Sequence, residues 1–180
     1  LNRKTGVTMK LKPETVMELG VPSFIGKRQQ HLYASAETEM TFAAAADNEK
    51  AGFMVYYDEY HFYFMSRSVS NGKPVLQLYK GNTQTKGMDL VTETPLAGKG
   101  DKLQLKIEAK GDVYDFYYAT SAGKWNKLQG DLDAKYVSTK NAGGFTGCFF
   151  ALYATSSGKP SGSTASYSYL KYSGNDPMFK

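Results

Sequence analysis

The residues best equipped for chemistry stand together in one decapeptide, Pro22-Ser23-Phe24-Ile25-Gly26-Lys27-Arg28-Gln29-Gln30-His31. A guanidinium, two amides and an imidazole in a row supply donors and acceptors together, and such groups are costly to bury unpaired. Arg28, Gln29, Gln30 and His31 are therefore expected to line a groove, meet another domain or bond internally within the fold.

Other candidates weigh less. A glycosidase needs one protonated and one ionised carboxyl facing each other, and the pairs on offer are Asp58 with Glu59, Asp112 with Asp115, and Asp131 with Asp133. All lie beside turn residues, where acids are ordinary solvated turn formers. Asp131 and Asp133 could help ligate Ca²⁺, but two acids in a loop leave metal binding open. His31 and His61 are the only histidines, and neither sits in a nucleophile-elbow context. The single cysteine excludes an internal disulfide. Within Gly147-Cys148-Phe149-Phe150-Ala151-Leu152 it reads as a small buried hydrophobe rather than a catalytic thiol. Metal-ligand spacings, phosphate loops and dinucleotide fingerprints are absent from the sequence, so no cofactor is expected beyond that open Ca²⁺ question.

Aromatic residues form a third set, at 14% of the chain. Tyr56, Tyr57, Tyr60, Phe62, Tyr63 and Phe64 fall in one expected hairpin, and Tyr114, Phe116, Tyr117 and Tyr118 in another. Alternate residues of a strand face opposite ways, so half of each set should fill the core and half should face outward. Tyr57, Tyr63 and Trp125 are the candidates for stacking on sugar rings, with core and cross-strand packing as the plainer role.

The elements that must position these residues read as strands. Val7 to Leu11 alternates. Pro13 to Gly20 has proline early and glycine late, the start and stop chemistry of one helical turn. A long strand runs from Leu32 to Phe42, and Asp47 to Lys50 turns it. Gly52 to Tyr57 and Tyr60 to Ser68 form a hairpin across Asp58-Glu59, and Asn71-Gly72 is a strong hairpin-turn signal before Pro74 to Tyr79. Met88 to Thr94, a turn at Gly98 to Gly100, and a second hairpin of Leu103 to Glu108 with Val113 to Thr120 follow. Lys124 to Gln129 reads as a short strand, Gly130 to Gly144 as a surface loop. Phe145 to Thr155 and Ala165 to Tyr172 complete the set, separated by a flexible, exposed link from Ser156 to Ser163. Ten to twelve short strands in 180 residues imply one all-β domain, a two-sheet antiparallel β-sandwich or jelly roll spanning 1–180.

The formal net charge of +5 comes from 22 Lys and Arg scattered among 17 acids. That is a solvated surface rather than a basic stripe, so nucleic acid is not an expected partner. No apolar stretch approaches the length needed to cross a membrane, and Leu1 does not open a basic start with an apolar h-region. The expectation is a soluble chain with no membrane partner, any export signal removed or lying upstream.

On these motifs the chain resembles the C-terminal concanavalin A-like domain of family 43 glycoside hydrolases, the β-xylosidases and α-L-arabinofuranosidases. The decapeptide is close to that family's Phe-x-Gly/Ala-Arg-Arg-Gln/Trp-Gln-His stretch. Ala51-Gly52-Phe53-Met54-Val55-Tyr56-Tyr57 is similar to its Ala-Gly-Leu hairpin. Leu132-Asp133, Ser138-Thr139, Gly143-Gly144-Phe145-Thr146-Gly147, Ala151-Leu152-Tyr153-Ala154 and the segment Ala165 to Tyr172 extend the likeness over nearly the whole chain. There are departures. Lys27 stands for the first arginine, Ala165-Ser166-Tyr167-Ser168 replaces Ala-Asp-Phe-Asp, and a strand with a tryptophan usual upstream of Leu1 is missing, as in an excised segment. The resemblance implies a catalytic five-bladed propeller elsewhere, carrying two aspartates and a glutamate, with the sandwich as its buttress and, in some members, a loop sent toward the active-site mouth. It transfers no catalytic residue to this chain. It implies a secreted or periplasmic setting and xylan or arabinan oligosaccharides as ligands of the whole. Two other readings stand beside it: an independent carbohydrate-binding module, and a self-sufficient sandwich glycosidase built on the acid pairs.

Overall fold

The computed structural model describes residues 6–96 and 100–177. Twelve strands form the fold: β1 Val7–Lys10, β2 Ser23–Arg28, β3 Tyr33–Thr41, β4 Lys50–Tyr56, β5 Phe62–Ser70, β6 Lys73–Asn82, β7 Gly87–Pro95, β8 Lys102–Lys110, β9 Val113–Ala119, β10 Asn126–Asp133, β11 Phe149–Thr155 and β12 Thr164–Gly174. They build two six-stranded sheets, ordered β1-β12-β3-β8-β9-β10 and β2-β11-β4-β5-β6-β7, with antiparallel pairing throughout. The chain is thus the expected β-sandwich.

Alternation places the core. In the first sheet Ala36 faces Ile107 and Thr38 faces Leu105 across β3 and β8, and these residues point inward. They meet Phe53, Val55, Met65, Leu76, Leu78 and Phe150 of the second sheet in one continuous apolar cluster. Tyr167 is sealed within it, its hydroxyl donating to the carbonyls of Gly52 and Tyr153 at 3.1 and 2.9 Å, which satisfies the one polar atom it carries inward.

The second sheet buries its other face as well. Met54, Phe62, Phe64, Ala151 and Tyr153 make a separate apolar cluster roofed by Val16 and Met17. The segment expected to be a helical turn, Pro13 to Gly20, contains no helix. It lies over this face, Val16 N–H donating to the Tyr153 hydroxyl at 3.1 Å while Thr155 Oγ1 donates to the carbonyl of Lys12 at 3.1 Å. A helix would have turned its backbone donors inward on itself, whereas here one of them meets the partner a buried tyrosine needs.

One strand is added and two other expectations are corrected. Ser23–Arg28 is a strand in its own right, pairing with β11 from Arg28↔Phe149 to Ser23↔Ala154, because its alternating Phe24 and Ile25 each find an apolar surface. Gly130 to Gly144 is not an irregular loop. Strand β10 continues to Asp133 with register shifts, a 3₁₀ turn follows at Ala134–Val137, and a single helical turn, α1, at Thr139–Ala142. The link from Ser156 to Ser163 is pinned by the buried carboxylate of Glu49, which accepts from Ser161 Oγ at 2.6 Å and from Ser163 Oγ at 3.0 Å. Asn71 and Gly72 have φ of 50° and 73°, the left-handed pair of a type I′ turn between β5 and β6. The turn expected at Gly98 to Gly100 falls on 97–99, outside the described residues.

Candidate functional site

Where β2 ends, the chain crosses between the two sheets, and the polar decapeptide lands at one end of the sandwich. A groove of about 470 Å³ opens there, walled by Gln29 to Leu32, by the β8–β9 turn at Gly111 and Asp112, by the 3₁₀ turn and α1, and by Gly147 and Cys148. Three of the four grouped candidates, Gln29, Gln30 and His31, come together in it. Arg28 does not. It leaves on the opposite face of β2, and its guanidinium stacks 4.6 Å from the Phe149 ring.

Gln29 braces the groove wall. Its backbone N–H donates to the carbonyl of Cys148 at 3.0 Å, its Oε1 accepts from the Tyr114 hydroxyl at 2.7 Å and from the Cys148 thiol at 3.3 Å, and its Nε2 donates to the His31 carbonyl at 2.8 Å. An amide so fully used is a brace rather than a free recognition group. Burial pushes the Cys148 thiol up, so it is no nucleophile, and burial likewise holds the Tyr114 hydroxyl protonated. His31 is seated on the far side, Nδ1 lying 2.8 Å from the Tyr172 hydroxyl, which also accepts from Gln30 N–H at 3.0 Å. A Cβ at position 174 would overlap the imidazole, so only glycine leaves room for the ring.

Two of the three stacking candidates, Tyr63 and Tyr57, are buried. Tyr63 is 1% exposed and donates its hydroxyl to the Asp133 carbonyl at 3.0 Å, because it sits on the inward parity of β5. It is a core residue and cannot stack on a sugar. Tyr57 is 6% exposed and lines the groove, its hydroxyl tied to Thr139 Oγ1 at 3.1 Å and to the Gly143 carbonyl. Trp125 is half-buried, with Lys106 Nζ 4.9 Å from its ring centre.

The acid pairs separate. Asp58 caps its own turn, accepting from the backbone N–H groups of Tyr60 and His61 at 3.0 and 2.8 Å and from His61 Nδ1 at 2.9 Å. Asp112 lines the groove, whereas Asp115 is buried on the outer side of β9 with Lys110 Nζ at 2.6 Å, Lys127 Nζ at 2.9 Å and Asp131 N–H at 2.9 Å. Burial alone would raise the Asp115 carboxyl, but these donors and the Tyr117 hydroxyl outweigh it and hold it far below the usual carboxylate range. Asp133 accepts from Lys135 N–H at 2.9 Å and starts the 3₁₀ turn. Among the described residues no three His, Cys, Asp or Glu converge on one point.

Sequence reasoning named Asp112 and Tyr114 only in other roles and missed Lys135 in the groove wall and Tyr172 and Gly174 in the seat of His31. It also quoted Phe145 only as part of a glycine-rich stretch. That ring is 100% exposed, between left-handed Gly143 and Gly144 on one side and left-handed Gly147 on the other. It stands two residues from Gly147 of the groove wall.

The family of β-xylosidase C-terminal concanavalin A-like domains matches residues 1–173. The chain belongs to that family. This family 43 domain is 32% identical over 163 residues to a xylosidase/arabinosidase of Butyrivibrio fibrisolvens, covering 90% of the chain and 30% of that protein. It is 29% identical over 152 residues to a non-reducing end α-L-arabinofuranosidase of Bacteroides ovatus, covering 84% of the chain and 28% of that protein. The chain therefore spans about three-tenths of the length of these curated relatives. Among solved structures, the Bacteroides ovatus xyloglucan-locus family 43 protein superposes with a TM-score of 0.86 at 26% identity, over 94% of the chain and 33% of that protein. A xylan β-1,4-xylosidase from Bacillus halodurans superposes at 0.83 with 19% identity, over 93% of the chain and 32% of that protein, a likeness of fold.

Proposed function

We propose that this sandwich is the accessory domain of a xylosidase or arabinofuranosidase, packs against a catalytic propeller, and uses its groove end to shape the mouth of that partner's active site. The observation that carries the reading is Phe145, fully exposed on a glycine-flanked loop beside the polar groove. An isolated domain gains nothing from holding an aromatic ring in water. A domain that closes over a pentose chain gains a hydrophobic edge against the sugar. The independent-module reading keeps only half-buried Trp125 of its three stacking residues, since Tyr63 and Tyr57 are buried. The self-sufficient glycosidase loses one member of each acid pair, Asp58 and Asp133 to turn caps and Asp115 to lysines.

The test uses the domain together with its family 43 catalytic domain. Phe145→Ala should leave the unfolding midpoint unchanged and lower kcat/KM on aryl xylosides or arabinofuranosides by about tenfold, roughly 1.4 kcal/mol of transition-state stabilisation. Unchanged kinetics would remove the loop from the mouth, and failure of the two domains to associate would sink the whole reading.

A further inference from the structure

We infer that His31 presents a fixed N–H donor to the groove and that its counterpart is a hydroxyl oxygen of a neutral saccharide; the choice of ligand rests on the reading above, the donor does not. The Tyr172 oxygen accepts from Gln30 N–H, so the phenol proton is free to point elsewhere, and the acceptor within reach is His31 Nδ1 at 2.8 Å. No other acceptor for that proton lies among the described residues. With Nδ1 accepting, the neutral imidazole must carry its proton on Nε2. Cγ, Nδ1 and Cε1 are the ring atoms nearest position 174, Nε2 has no partner among the described residues, and the side chain lines the groove. His61 is the opposite case. Its Nδ1 lies 2.9 and 3.0 Å from the two Asp58 oxygens, so it donates from Nδ1.

The groups around His31 suit a polyol better than an ion. Lys135 and Asp112 bring one charge of each sign, a second acid, Asp176, already accepts from Tyr33 N–H at 2.7 Å, Gln30 brings an amide that donates and accepts, and Leu32 and Val137 add apolar surface. Sugar hydroxyls donate and accept at once, so they can satisfy all three polar groups without leaving a buried charge unpaired.

Long-range ¹H–¹⁵N correlation spectra of the ¹⁵N-labelled chain at pH 8 test the donor directly. His31 should show the Nε2–H pattern and His61 the Nδ1–H pattern. Tyr172→Phe should release His31 into a mixture of tautomers while leaving His61 unchanged, which doubles as the check that the variant is folded. A wild-type His31 in the Nδ1–H form, or already in a mixture, would overturn the donor. Xylobiose, added to millimolar concentration, should then shift the His31 Nε2 resonance saturably. His31→Phe should weaken binding by about tenfold and His31→Gln, which retains an N–H near that place, by about threefold or less. No shift, or equal binding by the His31→Phe variant, overturns the saccharide. Domain association, followed separately by size-exclusion chromatography, reports on the accessory-domain reading. A shift without association, or association without a shift, tells the two failures apart.

Discussion

The two sheets have opposite outer faces. Outside the first, Glu37 pairs with Lys171 at 3.0 Å, Glu39 with Lys102 at 2.8 Å and Glu108 with Lys106 at 2.7 Å, a ladder of charges standing in water. Outside the second, Met54, Phe62, Phe64 and Tyr153 occupy equivalent positions and are roofed by the segment carrying Val16. One sheet solves its outer surface by solvation, the other by spending a stretch of chain to cover it. The contrast explains why this β-sandwich holds buried aromatic residues in two layers rather than one.

The comparison can be broken at Phe64, whose ring lies 4.9 Å from that of Tyr153 on the covered face. Phe64→Ala should cost about 3–5 kcal/mol in urea unfolding, as for a ring lost from a packed interior. A cost near 1 kcal/mol would mean that this face is a wet surface after all. Asp115 is the exception on the charged sheet, 2% exposed where its neighbours are solvated. Asp115→Asn should cost about 2 kcal/mol at neutral pH, since it leaves lysines and an N–H facing a neutral amide. Because the folded carboxyl titrates below its unfolded value near 3.9, its contribution is present above that pH and is lost as pH falls through and below it. The gap between wild type and variant should therefore narrow below about pH 4 in acid unfolding curves. Val16→Ala should cost about 1–2 kcal/mol and speed proteolysis near Leu19, which is 97% exposed, without touching the first sheet. Glu37→Ala should change stability by less than about 0.5 kcal/mol, because its pairing lysine is exposed.

The same contrast decides what could be read from sequence. Leu103, Leu105 and Ile107 alternate with polar residues because one face of β8 meets water, and the strand was legible with its orientation. In β4 and β5 nearly every residue is buried on one face or the other. The period of two vanishes there, and with it any means of telling Tyr63, in the core, from Phe64, outside it. The decapeptide was legible as a site because polar groups cluster along the chain. The seat of His31 was not, since Tyr172 lies 141 residues away and enters through the pairing of β12 with β3. Arg28 was grouped with its neighbours although it is the last residue of β2, held beside its pairing partner Phe149, while the groove is lined by the residues after the strand. Phe145 carried no signal, because exposure of a lone aromatic in a glycine loop is fixed by the loop's path and not by its composition.

The type I′ turn at Asn71-Gly72 gives the molecule a chemical clock. Both residues are exposed, and an asparagine followed by glycine is prone to cyclise as the next backbone nitrogen attacks its side-chain amide, expelling ammonia. Reopening yields aspartate or its β-linked isomer. The isomer inserts one extra backbone carbon into a two-residue turn that sets the register of β5 against β6, so ageing of a stored sample should begin at the tip of this hairpin.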